Sequence, residues 1–190
     1  MSQPRTRPRF KISVFLSYPN PCMVEQQQFI DRVYDYLDGR GFAPRTLGVT
    51  DYDRAAPLTA IRRLMLESNG LITVALRRTY IQQGEANHQA NIVGREPSPV
   101  ADKWLTSPWA HIEPAMAYQF GLPILILREQ GLVEDGLLEK GVVGIYMPVF
   151  DVRGSLDQYF ASPEWEDLIV KWEYQVRSVV EKKGSPPQLF

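Results

Sequence analysis

At 190 residues, 44% apolar and 23% charged, the chain is long enough for one globular domain with a buried core. Its formal net charge of -1 removes the electrostatic reason to expect nucleic acid or an acidic membrane surface as a partner. A lone cysteine, Cys22, excludes an internal disulfide framework and fits a reducing, cytoplasmic setting, and with two histidines, His88 and His111, no metal site is expected.

Residues 1–10, with Arg5, Arg7 and Arg9, read as a disordered leader without the apolar core of a signal peptide. No apolar run approaches the roughly 20 residues that a membrane-spanning helix needs. The β-branched and aromatic run 11–17 predicts a first strand, closed by the prolines of Tyr18-Pro-Asn-Pro21. Phe29, Ile30, Val33 and Leu37 then recur at helical spacing over 23–38, and Gly39 with Gly41 supplies the stop. Residues 42–47 predict a short strand that Pro44 places near a sheet edge.

A polar loop, 48–54, leads to Pro57 and a helix over 58–68 with Leu58, Ile61, Leu64 and Met65 as its apolar stripe. The unbroken apolar run 71–76 has the character of a central parallel strand buried on both faces. Residues 77–106 show no periodicity and are long for a connection, so they read as an insertion: a lid or binding loop, or else a tolerated surface excursion.

A helix over 107–120 follows, then Gly121-Leu-Pro123, an apolar strand over 122–127, a short helix over 132–140 and a strand over 142–150. Trp165, Leu168, Ile169, Trp172, Val176 and Val179 trace a final amphipathic helix over 163–182, both tryptophans reading as core, with a tail at 184–190.

Alternating strands and helices predict a three-layer, flavodoxin-like, doubly wound α/β fold with a five-stranded, mostly parallel sheet, spanning 11–183 as one domain. Such sheets bind ligands beyond the C-terminal ends of their strands. The groups expected there are residues 17–21, 48–54, 76–80 and the start of the helix carrying Trp109 and Glu113.

Glu113 is the distinctive group. At about 100° per residue, Trp109, Ile112, Met116 and Phe120 share one arc, and Glu113 falls only about 20° past Phe120. It is then either an ordinary exposed helix glutamate or a carboxylate at the edge of a pocket. No G-x-G-x-x-G and no G-x-x-x-x-G-K-[ST] motif is present, which disfavours a dinucleotide hydride enzyme or a P-loop NTPase. A single carboxylate among hydroxyls and aromatics suits cleavage of an N-glycosidic bond, whose oxocarbenium-like transition state it stabilises or traps.

Val14-Phe-Leu-Ser-Tyr18 and Ser107-Pro-Trp109-Ala-His-Ile-Glu113 together resemble the Toll/interleukin-1 receptor (TIR) domain family. Residues 113–126, with Gly121-Leu-Pro123 before an apolar strand, also resemble the nucleoside 2-deoxyribosyltransferases. Pro114 departs from both patterns, the 77–106 segment is longer than a typical TIR connection, and Asn20-Pro21 stands where charged residues often follow the first strand.

The TIR resemblance implies an enzyme that takes NAD as substrate rather than cofactor and releases nicotinamide, in a self-associating, defence-signalling context. Glu113 would be the catalytic residue. Ser17, Tyr18, Asn20, Asp51, Asp53, Ser107 and Trp109 would line the substrate, with Tyr18 or Trp109 packing on a ring. The second resemblance implies a nucleoside or nucleotide N-glycosidase or deoxyribosyltransferase with Glu113 as nucleophile. A third reading is a non-catalytic scaffold acting by self-association.

Overall fold

A computed structural model describes residues 10–144 and 146–182; the expected tail and, Phe10 apart, the expected leader lie outside the described residues. The main sheet contains β1 (Ile12–Ser17), β2 (Phe42–Arg45), β3 (Leu71–Ala75), β6 (Ile124–Glu129) and β7 (Val149–Phe150), in the order β2-β1-β3-β6-β7. Every pairing within it is parallel. With the two strands of the 77–106 segment set aside, this is the flavodoxin-like 2-1-3-4-5 order, whose topological switch point lies between β1 and β3.

Alternate residues of the strands feed opposite layers. Val14, Leu16, Ile72, Val74, Leu125 and Leu127 meet α1 (Val24–Gly39) and α5 (Pro163–Glu181), where Phe29, Val33, Trp165, Ile169 and Trp172 complete the larger cluster. Phe15, Leu71, Ala75 and Ile126 face α2 (Pro57–Glu67) and α3 (Trp109–Gln119). The start of α5 is fixed by Ser162, which accepts a hydrogen bond from the Trp165 amide at 3.2 Å, with Pro163 at the first helical position and Glu164 and Glu166 in the first turn.

The segment 77–106 is not an irregular loop. It is an antiparallel ribbon of β4 (Thr79–Ala86) and β5 (Ser98–Leu105), exposed on most of both faces, which is why its sequence lacks the alternation of a half-buried strand. The ribbon is anchored at its root, where the Trp104 amide donates to the Gly131 carbonyl and the Val133 amide to the Trp104 carbonyl.

Three smaller expectations also change. The helix over 132–140 is a single 3-10 turn, Gly136–Leu138. The last strand shortens to Val149–Phe150, just after Pro148, which has no amide to give a ladder. A short helix, α4 (Leu156–Phe160), starts from Ser155, whose hydroxyl accepts from the Gln158 amide at 3.3 Å.

Candidate active site

β1 ends at Ser17, and β3 lies beside it in register, with Ser17 opposite Thr73 and Thr73 opposite Ile126 of β6. These three side chains form a row on the sheet face that carries α3. The helix lies along β3, with Ala110 in the same cluster as Ala75 and Ala117 in the same cluster as Leu71. Glu113 falls between those two alanines and therefore above Thr73.

The buried face of α3 is not the stripe of large residues. It is Ala110, Glu113, Pro114 and Ala117, whereas Trp109 is 39% exposed and Ile112, Met116 and Phe120 are half-buried. Small side chains at Ala75, Ala110 and Ala117 let the helix approach the sheet closely, and closeness rather than hydrophobic bulk decides which face is covered. Pro114 stands at the sixth helical residue rather than in the first turn. Having no amide proton, it leaves the Ala110 carbonyl without its donor four residues on.

Glu113 is 8% exposed and accepts a hydrogen bond from the Ser17 hydroxyl on its Oε2. Burial pushes its carboxyl up to about 7, and the Ser17 hydrogen bond pulls the other way. Two other glutamates are as deeply buried among the described residues, and both have cations. Glu129, at the end of β6, receives Arg77 Nε at 2.7 Å, the Arg77 amide at 2.8 Å and Gln26 Nε2 at 2.8 Å. Glu173 receives Arg40 Nε at 3.0 Å and the Tyr36 hydroxyl at 2.8 Å. A buried carboxylate that is not neutralised is costly to ionise, and Glu113 alone of the three is in that position.

The other expected site residues are placed as follows. Ser107 accepts from the Trp109 amide at 3.3 Å and so sits at the head of α3. Tyr18 is half-buried against the cluster on the α1 side, the face opposite Glu113, and Asn20 is exposed. Asp51 and Asp53 are held in an ion-pair network: Arg45 Nε reaches both Asp51 oxygens at 3.1 Å, Arg63 Nε meets Asp53 at 2.9 Å, and Glu67 joins both arginines. The Arg45 contact holds the Asp51 carboxyl below its usual range, and the Ala55 amide followed by Arg63 does the same for Asp53.

The structure thus joins Ser17 to Glu113, packs Tyr18 on the other face of the sheet and engages Asp51 and Asp53 in ion pairs with Arg45 and Arg63. Sequence reasoning passed over Thr73 and Glu129, although a threonine and an acid inside otherwise apolar strands are visible signals. Among the described residues no cluster of three or more His, Cys, Asp or Glu is placed to hold a metal ion. No helix there is long and apolar enough to cross a membrane. Surface cavities of about 710, 510 and 380 Å³ open elsewhere, the first between α1 and residues 152–157, and Glu113 lines none of these three.

No protein-family model matches the chain, and no curated protein matches it. Among solved structures, the chain is similar to the Clostridium botulinum CMP N-glycosidase BcmB, at 15% identity and a TM-score of 0.47 over 84% of this chain and 98% of that one. It is also similar to the TIR domains of the activated Roq1 resistosome that directly recognises the pathogen effector XopQ, at 12% identity and a TM-score of 0.41 over 92% of this chain and 86% of that one. At these scores neither likeness bears on the substrate or the reaction of this chain.

Proposed function

We propose that this protein cleaves the N-glycosidic bond of a nucleotide, with NAD as the substrate and Glu113 as the catalytic carboxylate. The observation that supports this is the pairing of Ser17 with a buried Glu113 that has no cationic partner among the described residues, at the β1/β3 switch point of the sheet. An uncompensated carboxylate favours a ligand that brings positive charge of its own. The nicotinamide ring of NAD is a cation, whereas the base of CMP is neutral.

Breaking the bond between C1′ and the ring nitrogen sends the electron pair to nicotinamide, which leaves neutral and needs no proton. The positive charge passes to the ribosyl carbon, where ionised Glu113 stabilises it. Water then adds to C1′ and releases one proton, giving ADP-ribose. In this scheme Ser17 holds the carboxylate in one orientation, and Trp109 and Ser107 flank the approach from the head of α3.

Incubation with NAD and, separately, with CMP tests the reading through release of nicotinamide or cytosine. The assay is run up to high protein concentration because self-association is expected. Nicotinamide release that falls at least about 100-fold in Glu113→Gln is the expected result. Its rate should rise with pH and level off above about 7, as the carboxyl ionises. Release of cytosine alone would transfer the proposal to a neutral-base nucleotide, and release of neither base would overturn it.

A further inference from the structure

Thr73 is fully buried in the middle of the sheet, and its hydroxyl has no hydrogen-bond partner among the described residues. A buried hydroxyl left unpaired costs about 1–3 kcal/mol, and valine would fill the same space in a β-strand without that cost. The position of this hydroxyl is specific. Thr73 is the register partner of Ser17 and lies under the helix residue Glu113. Adjacent strands are about 4.8 Å apart, so the Thr73 and Ser17 side chains stand side by side on the same face. The Ser17 hydroxyl donates its hydrogen bond to Glu113 and retains lone pairs to accept another.

We infer that Thr73 is a positioning residue for Glu113: when the carboxylate ionises, the Thr73 hydroxyl turns to donate to Ser17 Oγ, completing a Thr73–Ser17–Glu113 chain. The donor unpaired beside the neutral carboxyl becomes paired beside the carboxylate. A chain of two donors polarises toward the charge and stabilises it more than Ser17 alone. The inference rests on the proposed catalytic reading of Glu113 for its purpose, but its geometry stands without it.

The groups facing this carboxylate leave the hydroxyls as its polar environment. From β6 the charged residue on this face is Arg128, whose Nη1 donates to the Leu138 carbonyl at 3.0 Å and whose Nη2 meets Glu134 at 2.6 Å. On α3 itself His111 pairs with Asp135, beside the Gly136–Leu138 turn, at 3.8 Å. From α2 the packed residues are Ile61, Leu64 and Met65, its Arg63 is held by Asp53 and Glu67, and Arg62 is exposed. β1 contributes Ser17 and β3 contributes Thr73. Desolvation and Ser17 account for the shift in the Glu113 carboxyl, with no charge among the causes.

The test is the titration of Glu113 in the free, full-length protein, followed by carbon NMR of labelled glutamate carboxyls and assigned by loss of the signal in Glu113→Gln. Thr73→Val and Thr73→Ala, which both lack the hydroxyl, should raise the midpoint by roughly 0.5–1 pH unit. Thr73→Ser should keep the native midpoint. Midpoints within about 0.2 unit of native in both hydroxyl-free variants would overturn the inference, since a merely structural hydroxyl leaves the titration where it is. No substrate enters this experiment, so an unmoved midpoint in an active enzyme overturns the chain of hydroxyls alone. A moved midpoint in a protein inactive on NAD and CMP overturns the proposed function alone.

Discussion

Glu113 and Glu129 are two glutamates buried on opposite faces of one sheet, and their surroundings assign them different work. Glu129 is fully enclosed and has three donors within 2.8 Å, one of them a guanidinium. Those donors come from α1 and from Arg77, two residues beyond β3, so the carboxylate ties the first helix, the root of the ribbon and the end of β6 into one joint. Arg77 is further fixed by the Trp104 ring, 5.3 Å from its guanidinium carbon. Glu113 has one hydroxyl and no cation. A satisfied buried charge holds structure together, whereas an unsatisfied one stores a preference for whatever would satisfy it.

The largest effect that would sharpen this contrast is on stability at the Glu129 joint. Arg77→Ala leaves a buried carboxylate without its cation and should cost about 3–5 kcal/mol in denaturant unfolding, because breaking one side of a buried pair exposes the full desolvation penalty of the other. A cost below about 1 kcal/mol would mean that Glu129 is not held as a charge.

Glu113→Gln should do the reverse. Folded Glu113 keeps its proton up to about pH 7, against 4.5 for the ordinary carboxyl, so the native state binds the extra proton between those values. Its contribution to stability is present below pH 4.5 and is lost as pH rises through 7, on the order of 3 kcal/mol in all. Glutamine has no such dependence. The variant should match the native protein near pH 4.5 and exceed it by about 2–3 kcal/mol at pH 8, measured by unfolding at both values. Equal stability at pH 8 would remove the contrast. The smallest effect is expected for Trp104→Leu, which removes only the ring beside Arg77 and should cost about 1 kcal/mol while leaving the Glu129 hydrogen bonds in place.

The strands of the main sheet and four of the helices were legible because each depends on local periodicity, whereas the order of the strands is set by long-range pairing. Residues 71–76 are continuously apolar because both faces are covered, and the spacing of Trp165, Ile169, Trp172 and Val176 traces the buried face of α5. The ribbon was illegible for the same reason in reverse: with most of β4 and β5 exposed, no hydrophobic period is imposed on them.

Glu113 was legible as an acid near an apolar arc, but its environment was not. Hydrophobic patterning ranks helix faces by bulk, and α3 is docked by its alanines. Glu129 was visible as an acid in an apolar strand, but its partners were not: Gln26 and Arg77 are 103 and 52 residues away in sequence and meet it only across the finished sheet. The ion pairs of Asp51 and Asp53 are closer in sequence, with Arg45 and Arg63 six and ten residues away, yet nothing in the polar loop distinguishes an acid waiting for a ligand from one already paired.

Pro114 marks the backbone next to the buried carboxylate. The missing amide falls immediately after Glu113, so the helical ladder is interrupted between the turn that carries the carboxylate and the turn that Ala117 seats on Leu71. One rung is lost, while the helix itself runs unbroken from Trp109 to Gln119. The Ala110 carbonyl that loses this donor lies on the same buried face as Glu113, so the proline concentrates one unmade helical bond beside the carboxylate.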